Sequence, residues 1–148
     1  MLDRITPPAA KRISSIHFTK ADSISLSNGT PVHIIQAGQH DIVRLEIIMK
    51  SGRWFEKIKG SAYFTSQMLL EGNSEKSSKD LADIFEFHGA QVSINSGIDY
   101  TTFVVYTLSS KIGDIIDGVG KCLSDPVFPD HELNILKDIH KQQIRINN

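Results

Sequence analysis

The 148-residue sequence has a single cysteine and lacks a long apolar run, an excess of one charge and an internal repeat. With Cys122 alone, the chain can form neither an internal disulfide nor a cysteine-rich zinc site. No stretch approaches the roughly 20 apolar residues that cross a bilayer. The net charge of −1 provides no strong field for nucleic acid or an anionic membrane. We therefore expect a protein whose partners are neither nucleic acids nor membranes.

The composition is that of a soluble globular protein, with 40% hydrophobic and 22% charged residues. A chain of this length is one ordinary domain or a piece of a larger one. The first residues, MLDRITPPAAKRISSI, contain no apolar segment of the kind found in a secretory signal. Together with the lone cysteine, this predicts a cytoplasmic protein.

Local patterns predict an ordered series of strands and helices. Residues 1–22 read as an extended arm, and residues 23–148 as part of one domain. Asn28-Gly29 is a turn signal between two short β-prone runs. The segment DIVRLEIIMKSG alternates apolar and polar residues, as expected for a strand with one buried face.

The rest of the chain predicts two helices, two strands and two more helices. The helices are expected at residues 60–71, in SSKDLADIFEFHG between a Ser77 or Ser78 cap and a stop at Gly89, around Cys122, and from about residue 131 after an Asp130 cap. Two strands joined near Gly97 lie between the helix pairs. This order predicts an α+β fold with a mostly antiparallel sheet and helices packed on one face.

Two of the predicted helices carry polar residues at positions where the helical spacing predicts buried, apolar side chains. The first is predicted in residues 60–73, GSAYFTSQMLLEGN, and Gly72 is expected to end it. Tyr63, Ser66 and Gln67 share one face of this otherwise apolar helix. In the last helix, Gln143 lies on the stripe that Leu136, Ile139 and Ile146 define. Buried amides and hydroxyls require hydrogen bonds. These side chains therefore either satisfy one another and the backbone, or occupy a functional site.

The run at residues 60–73 also carries a resemblance to a known family. It keeps the pattern G-x-A-H-F-x-E-H-M-x-F-x-G-T at Gly60, Ala62, Phe64, Met68 and Gly72. Further similar segments are LSNGTPVHII, GAQVSINSGIDYTTFVVY and DPVFPDHELN, in the same order as in the family. From about Leu26 to its end, the chain resembles the N-terminal part of the insulinase, pitrilysin and mitochondrial processing peptidase family. Active members are zinc peptidases with an inverted H-x-x-E-H motif.

This resemblance implies a processing-peptidase-like domain that is incomplete at its C-terminus, with a degenerate zinc site. Tyr63 stands for the first zinc-binding histidine, Ser66 for the glutamate base, Gln67 for the second histidine and Gln143 for the distal glutamate. A phenol and an uncharged amide are poor zinc ligands at neutral pH, and a serine is no carboxylate base. We therefore expect no catalysis and no cofactor.

The resemblance further implies an interaction role. In the family, extended substrates add to an exposed sheet edge. The corresponding strand here supplies Gln91, Val92, Ser93, Ile94 and Asn95. The expected protein is a non-catalytic subunit that holds extended peptide and pairs with an active homologue or with itself.

Alternatives remain open at this stage. The chain can instead be a stand-alone peptide-binding or structural module, or an enzyme with unrelated chemistry on the same fold. The predicted peptide-binding strand can also be a plain sheet edge without a ligand. The six histidines are scattered, although His33 and His40 flank a turn and can meet.

Overall fold

The computed structural model describes residue 12 and residues 15–147. The chain divides between His40 and Asp41 into two compact units. The predicted arm, residues 1–22, lies largely outside the described residues, and its boundary stays a prediction. In the described part of the chain, no helix is both long and apolar enough to span a membrane.

The first unit contains one hairpin. Strand β1, Asp22–Ser25, pairs antiparallel with strand β2, Pro31–Ile34. Gly29 has a φ of 83° at the turn, a left-handed conformation that suits glycine. The turn predicted at Asn28-Gly29 is therefore present.

The second unit is a three-stranded sheet with four helices. The strands are β3, Ile42–Met49; β4, Gln91–Ser96; and β5, Thr101–Leu108, in the spatial order β3-β5-β4 with both pairs antiparallel. The helices are α1, Ser61–Met68; α2, Ser78–Phe87; α3, Ile112–Ser124; and α4, Asp130–Ile146. Short 3-10 turns occur at Arg53–Phe55 and Ser109–Lys111.

The core lies between one face of this sheet and the helices. Successive strand residues point to opposite faces, so Ile94, Phe103 and Val105 share the inward face. Leu69, directly after α1, and residues of α2 and α3 contribute the other buried apolar side chains of this core: Leu81, Phe85, Ile115, Val119 and Cys122. The predicted antiparallel sheet with helices on one face is confirmed.

The ends of two helices differ from the predicted ones. Helix α1 ends at Met68 rather than near residue 71, and Gly72 lies beyond it as a bridge partner of Ser77. Gly72 has a φ of 123° and its carbonyl accepts a hydrogen bond from Val127 N–H at 3.1 Å. Its positive φ therefore serves tertiary pairing and not a helix cap. The residue before α4 is Pro129, so Asp130 is the first helical residue and not the cap.

Candidate functional site

The site begins at the N-terminus of α1, where the chain turns from the sheet into the helix. Gly60 has a φ of 89° at the N-cap and carries no capping side chain. The Glu56 carboxylate supplies that function by accepting hydrogen bonds from Gly60 N–H at 3.1 Å and Ala62 N–H at 3.2 Å. A carboxylate here also interacts favourably with the helix dipole. Glu56 therefore fixes the helix that carries Tyr63, Ser66 and Gln67.

The three degenerate positions on α1 have different environments. Ser66 is buried, at 2% exposure, and its hydroxyl donates a hydrogen bond to the Tyr63 carbonyl at 2.7 Å. Tyr63 and Gln67 are half-buried. Because the Ser66 hydroxyl is used within its own helix, it has no free proton to offer to a neighbouring reactant.

Helix α4 approaches α1 through His140, a residue that the sequence did not single out. The His140 ring lies 4.7 Å from the Tyr63 ring between centroids, with a tilt of 31°. The Phe64 ring meets His140 edge-on at 5.5 Å. The Nδ1 atom of His140 is buried and has no hydrogen-bond partner among the described residues. These three rings form an aromatic cluster at the place that the resemblance assigns to the zinc site.

The predicted inward stripe of α4 is wrong in part. Leu136 is half-buried as expected, but Ile139, Gln143 and Ile146 are exposed. The residues that face the fold are instead Leu133, Leu136 and His140, spaced i, i+3 and i+7. This spacing was the signal in the sequence that His140 faces the fold. It was missed because histidine is polar and the stripe was defined by apolar residues.

The degenerate positions do not form the predicted hydrogen-bonded group. Within the described residues, no side-chain hydrogen bond joins Tyr63, Gln67 and Gln143. Gln143 follows His140 by one helical turn, so it lies near the aromatic cluster along the chain but is exposed to solvent. Instead, the Gln143 amide is exposed to solvent, and the Ser66 hydroxyl bonds to the backbone.

A cleft of about 380 Å³ opens beside α1. Ser61, Thr65 and Ser66 of the helix are among the residues that line it. Its titratable lining residues are Lys50 and Glu56, and Glu56 is bound to the N-terminus of α1. The cleft therefore contains no imidazole or thiol to activate a hydroxyl nucleophile.

Strand β4 is an edge of the three-stranded sheet and packs against α1 on its inward side. Ile94 is buried and Val92 half-buried, whereas Gln91, Ser93 and Asn95 are exposed on the other face. Alternate residues of β4 therefore face the core and the solvent. With Ile94 in the core, the groups that β4 can offer to a ligand are chiefly those of its backbone.

The direction of those backbone groups follows from the hairpin that joins β4 to β5. Gly97 N–H donates to the Tyr100 carbonyl at 2.8 Å, and hydrogen-bonded pairs recur at every second residue of an antiparallel ladder. Gln91, Ser93 and Asn95 therefore bond to β5. The N–H and C=O groups of Val92, Ile94 and Ser96 point towards the unpaired edge, where an added strand can reach them.

These features define the class as a zinc-peptidase-like α+β domain, and comparison with known proteins identifies the family. Residues 32–147 match the family described as Insulinase (Peptidase family M16). The match covers most of the chain, which therefore belongs to this family.

Individual relatives agree with this assignment. YmxG of Bacillus subtilis, described as an uncharacterized zinc protease, is 24% identical over 90 residues, or 61% of this chain and 22% of YmxG. A peptidase M16 inactive domain from Pseudomonas fluorescens has a TM-score of 0.75 at 24% identity, covering 80% of this chain and 30% of its own. A protease from Helicobacter pylori has a TM-score of 0.76 at 14% identity, covering 86% and 31%. The chain thus spans less than a third of the length of each.

The residues present do not fit the zinc site of active family members. Zinc in proteins takes imidazole, thiolate or carboxylate ligands, and the positions concerned hold a phenol, a hydroxyl and two amides. The nearby imidazole, His140, is enclosed by Tyr63 and Phe64. In the described part of the chain, no group of three His, Cys, Asp or Glu side chains is arranged to hold a metal.

Proposed function

We propose that this chain is part of a non-catalytic M16 subunit that holds extended peptide along β4 and pairs with an active homologue. The observation that carries the proposal is the contrast between two neighbouring elements. Helix α1 carries no His, Cys, Asp or Glu side chain, whereas β4 beside it is an edge strand of the three-stranded sheet in the described part of the chain.

Peptide addition to β4 depends on backbone and not on the lost side chains. An added strand bonds to the N–H and C=O groups of Val92, Ile94 and Ser96, each net bond contributing about 0.5–1.5 kcal/mol. The exposed face of β4 carries the small uncharged side chains of Ser93 and Asn95. They place no charge against a bound chain, so the edge suits peptides of varied sequence.

Absence of catalysis is the second part of the proposal. Ser66 and Gln67 cannot replace a glutamate base and an imidazole ligand, and the cleft beside α1 supplies no base for another mechanism. The inactive domain from Pseudomonas fluorescens supports the idea that this fold occurs without activity. The proposal includes a cytoplasmic location, which cell fractionation tests.

Amide hydrogen exchange tests peptide binding at single residues. The probe is a permanently unfolded, carboxymethylated protein added to the 148-residue chain. The amides of Val92, Ile94 and Ser96 should exchange more slowly when it binds. Those of Gln91, Ser93 and Asn95 should be protected already and change little, which provides an internal control.

A matched pair of variants tests the same edge by affinity. Val92→Pro removes one N–H that points to the unpaired edge, whereas Val92→Ala shortens the side chain and keeps that N–H. We expect the proline variant to bind about fivefold or more weakly than the alanine variant. Equal binding by two folded variants, or slowed exchange confined to other elements, would show that β4 is not the peptide site.

A stand-alone peptide-binding or structural module is the remaining candidate. Both candidates share the peptide edge but differ in the partner. Co-expression with an intact-motif homologue from the same organism separates them. A complex that survives gel filtration supports pairing, and separate elution supports the stand-alone module.

A further inference from the structure

Besides the cleft at α1, a cavity of about 400 Å³ opens between the loop that follows α1 and the start of α4. Its lining residues all belong to the second unit of the chain, and none of them lies on β4. The charged ones are three glutamates and one lysine: Glu71, Glu75, Glu132 and Lys76. The cavity therefore has the size of a small-molecule site and an excess of negative charge.

Two of the glutamates lack a cationic partner. The Glu75 carboxylate forms an ion pair with Lys121, whereas Glu71 and Glu132 take part in no ion pair within the described part of the chain. Both are half-buried. Burial raises the pKa of Glu71, and the nearby charge of Glu132 raises it further. A positive charge placed between the two carboxylates would stabilise both.

Asn73 brings an unused hydrogen-bond donor to the same cavity, which it also lines. Its side chain is buried, at 5% exposure. The Oδ1 atom accepts hydrogen bonds from Glu75 N–H and Lys76 N–H, both at 2.9 Å. These bonds fix the orientation of the amide, so Nδ2 points away from the loop backbone. The Nδ2 atom is buried and has no partner among the described residues. Because a buried donor without an acceptor is costly, this place favours an occupant that supplies an oxygen.

The unpaired carboxylates and the unused amide specify two parts of one ligand. Glu71 and Glu132 favour a positively charged group, and Asn73 favours a hydrogen-bond acceptor close to it. A metal ion, a guanidinium group and a simple alkylammonium group all lack such an acceptor. An α-ammonium group with its adjacent carbonyl oxygen carries both within a single residue.

We propose that this cavity binds an α-ammonium group together with the carbonyl oxygen of the same residue. A free amino acid and the first residue of a peptide share this chemistry. The ammonium lies between the carboxylates of Glu71 and Glu132, and the carbonyl oxygen accepts a hydrogen bond from Asn73 Nδ2. Lys76 offsets part of the negative charge of the cavity and favours a ligand that also carries a carboxylate.

Small probes titrated into the 148-residue chain test each part of this ligand. The titrations are followed by NMR at about pH 6.5, where an α-amino group with its usual pKa of about 7.7–8.0 is charged. Alaninamide should shift the resonances of the Asn73 side-chain amide. N-acetylalaninamide lacks the ammonium and ethylamine lacks the carbonyl, so each should bind about tenfold or more weakly than alaninamide.

Two further probes distinguish the sources of the ligand. Trialanine amide presents the same first residue at the start of a peptide, and alanine presents it with a free carboxylate. Binding of trialanine amide at least as tight as that of alaninamide supports a peptide N-terminus. Tighter binding of alanine than of either amide supports a free amino acid.

Three matched substitutions test the carboxylates. Glu71→Gln and Glu132→Gln each remove a charge assigned to the ammonium, and each should weaken alaninamide binding about tenfold. Glu75→Gln is the control, because it makes the same change in the same cavity at a carboxylate that Lys121 already occupies. It should bind alaninamide within about twofold of the wild type. Circular dichroism confirms that each variant is folded, and if one of the first two is not, the other decides the matter.

Several results would overturn the proposal. One is the absence of binding by alaninamide, alanine and trialanine amide at their highest soluble concentrations. Others are equal binding of ethylamine or of N-acetylalaninamide, or an equal loss in all three glutamine variants, which would indicate unspecific attraction of cations. Because no residue of β4 lines the cavity, these results leave the proposed peptide edge to its own test.

Discussion

The ring of Tyr63 lies against the ring of His140, with centroids 4.7 Å apart, and this contact joins α1 to α4. The resemblance assigns Tyr63 to the position of a zinc-binding histidine and Gln143, one turn after His140, to that of the distal glutamate. In an active member a metal ion can hold two such helices together. Here stacked rings provide that contact, and the free energy comes from packing instead of coordination.

Replacing His140 tests whether its ring or its nitrogen matters. His140→Ala removes the stacking and should lower the free energy of unfolding by about 1–2 kcal/mol. His140→Phe keeps a ring against Tyr63 and removes the buried Nδ1 that lacks a partner, so it should leave stability unchanged or raise it slightly. Urea unfolding of the two variants beside the wild type measures both. A stable alanine variant would show that the aromatic cluster does not join the helices.

A single methyl group added at Gly52 is expected to destabilise the folded protein strongly. The connection before α1 lies so close to the β4–β5 turn that a Cβ on Gly52 would be 2.3 Å from the Ile98 carbonyl oxygen. Gly52→Ala should therefore displace backbone and cost about 2 kcal/mol or more. Gly120→Ala is the matched control, because its Cβ meets nothing within 4 Å on α3. It should stabilise the protein by about 0.5–1 kcal/mol.

The N-terminus of α2 predicts a defined response to acid. Ser77 accepts a hydrogen bond from Asp80 N–H, and the Asp80 carboxylate accepts bonds from the Ser77 hydroxyl and N–H. These bonds lower the pKa of Asp80 from its ordinary value of 3.8. The stabilisation is therefore complete above pH 3.8 and is lost as the pH falls through the lower pKa of the folded protein.

Asp80→Asn should accordingly be less stable than the wild type at neutral pH, and the difference should disappear in acid. Ser77→Ala should also reduce this acid dependence, because it removes the hydroxyl that lowers the pKa of Asp80. Urea unfolding at a series of pH values measures both. A difference that stays constant into acid would exclude the capping bonds as its cause.

Much of the fold follows from local sequence. Ser77 with Asp80 three residues later predicts the start of α2, and the alternation in β3, β4 and β5 reflects one buried face. The end of α1 was not predictable in the same way. Gly72 has the φ of a helix stop, but its pairing with Ser77 and Val127 determines its place. Such pairing depends on residues distant in the sequence.

The candidate site was harder to predict than the fold. The degenerate positions Tyr63, Ser66 and Gln67 were found on α1, but the spacing of Ile139, Gln143 and Ile146 gave the wrong face of α4. Apolar periodicity shows which face of a helix can be buried, and not how far along its length a neighbour extends. Helix α4 contacts α1 near His140, and its later residues remain exposed.

The central claim is that the zinc chemistry of the family is absent from this chain while its fold is retained. The most direct test is metal analysis of the purified, untagged protein after incubation with zinc and removal of free ions. Tyr63→Phe and Gln67→Leu variants measured in parallel distinguish the site from incidental binding to surface histidines. We expect far less than one zinc per chain, with no change in either variant. One zinc per chain that is lost in both variants would contradict it.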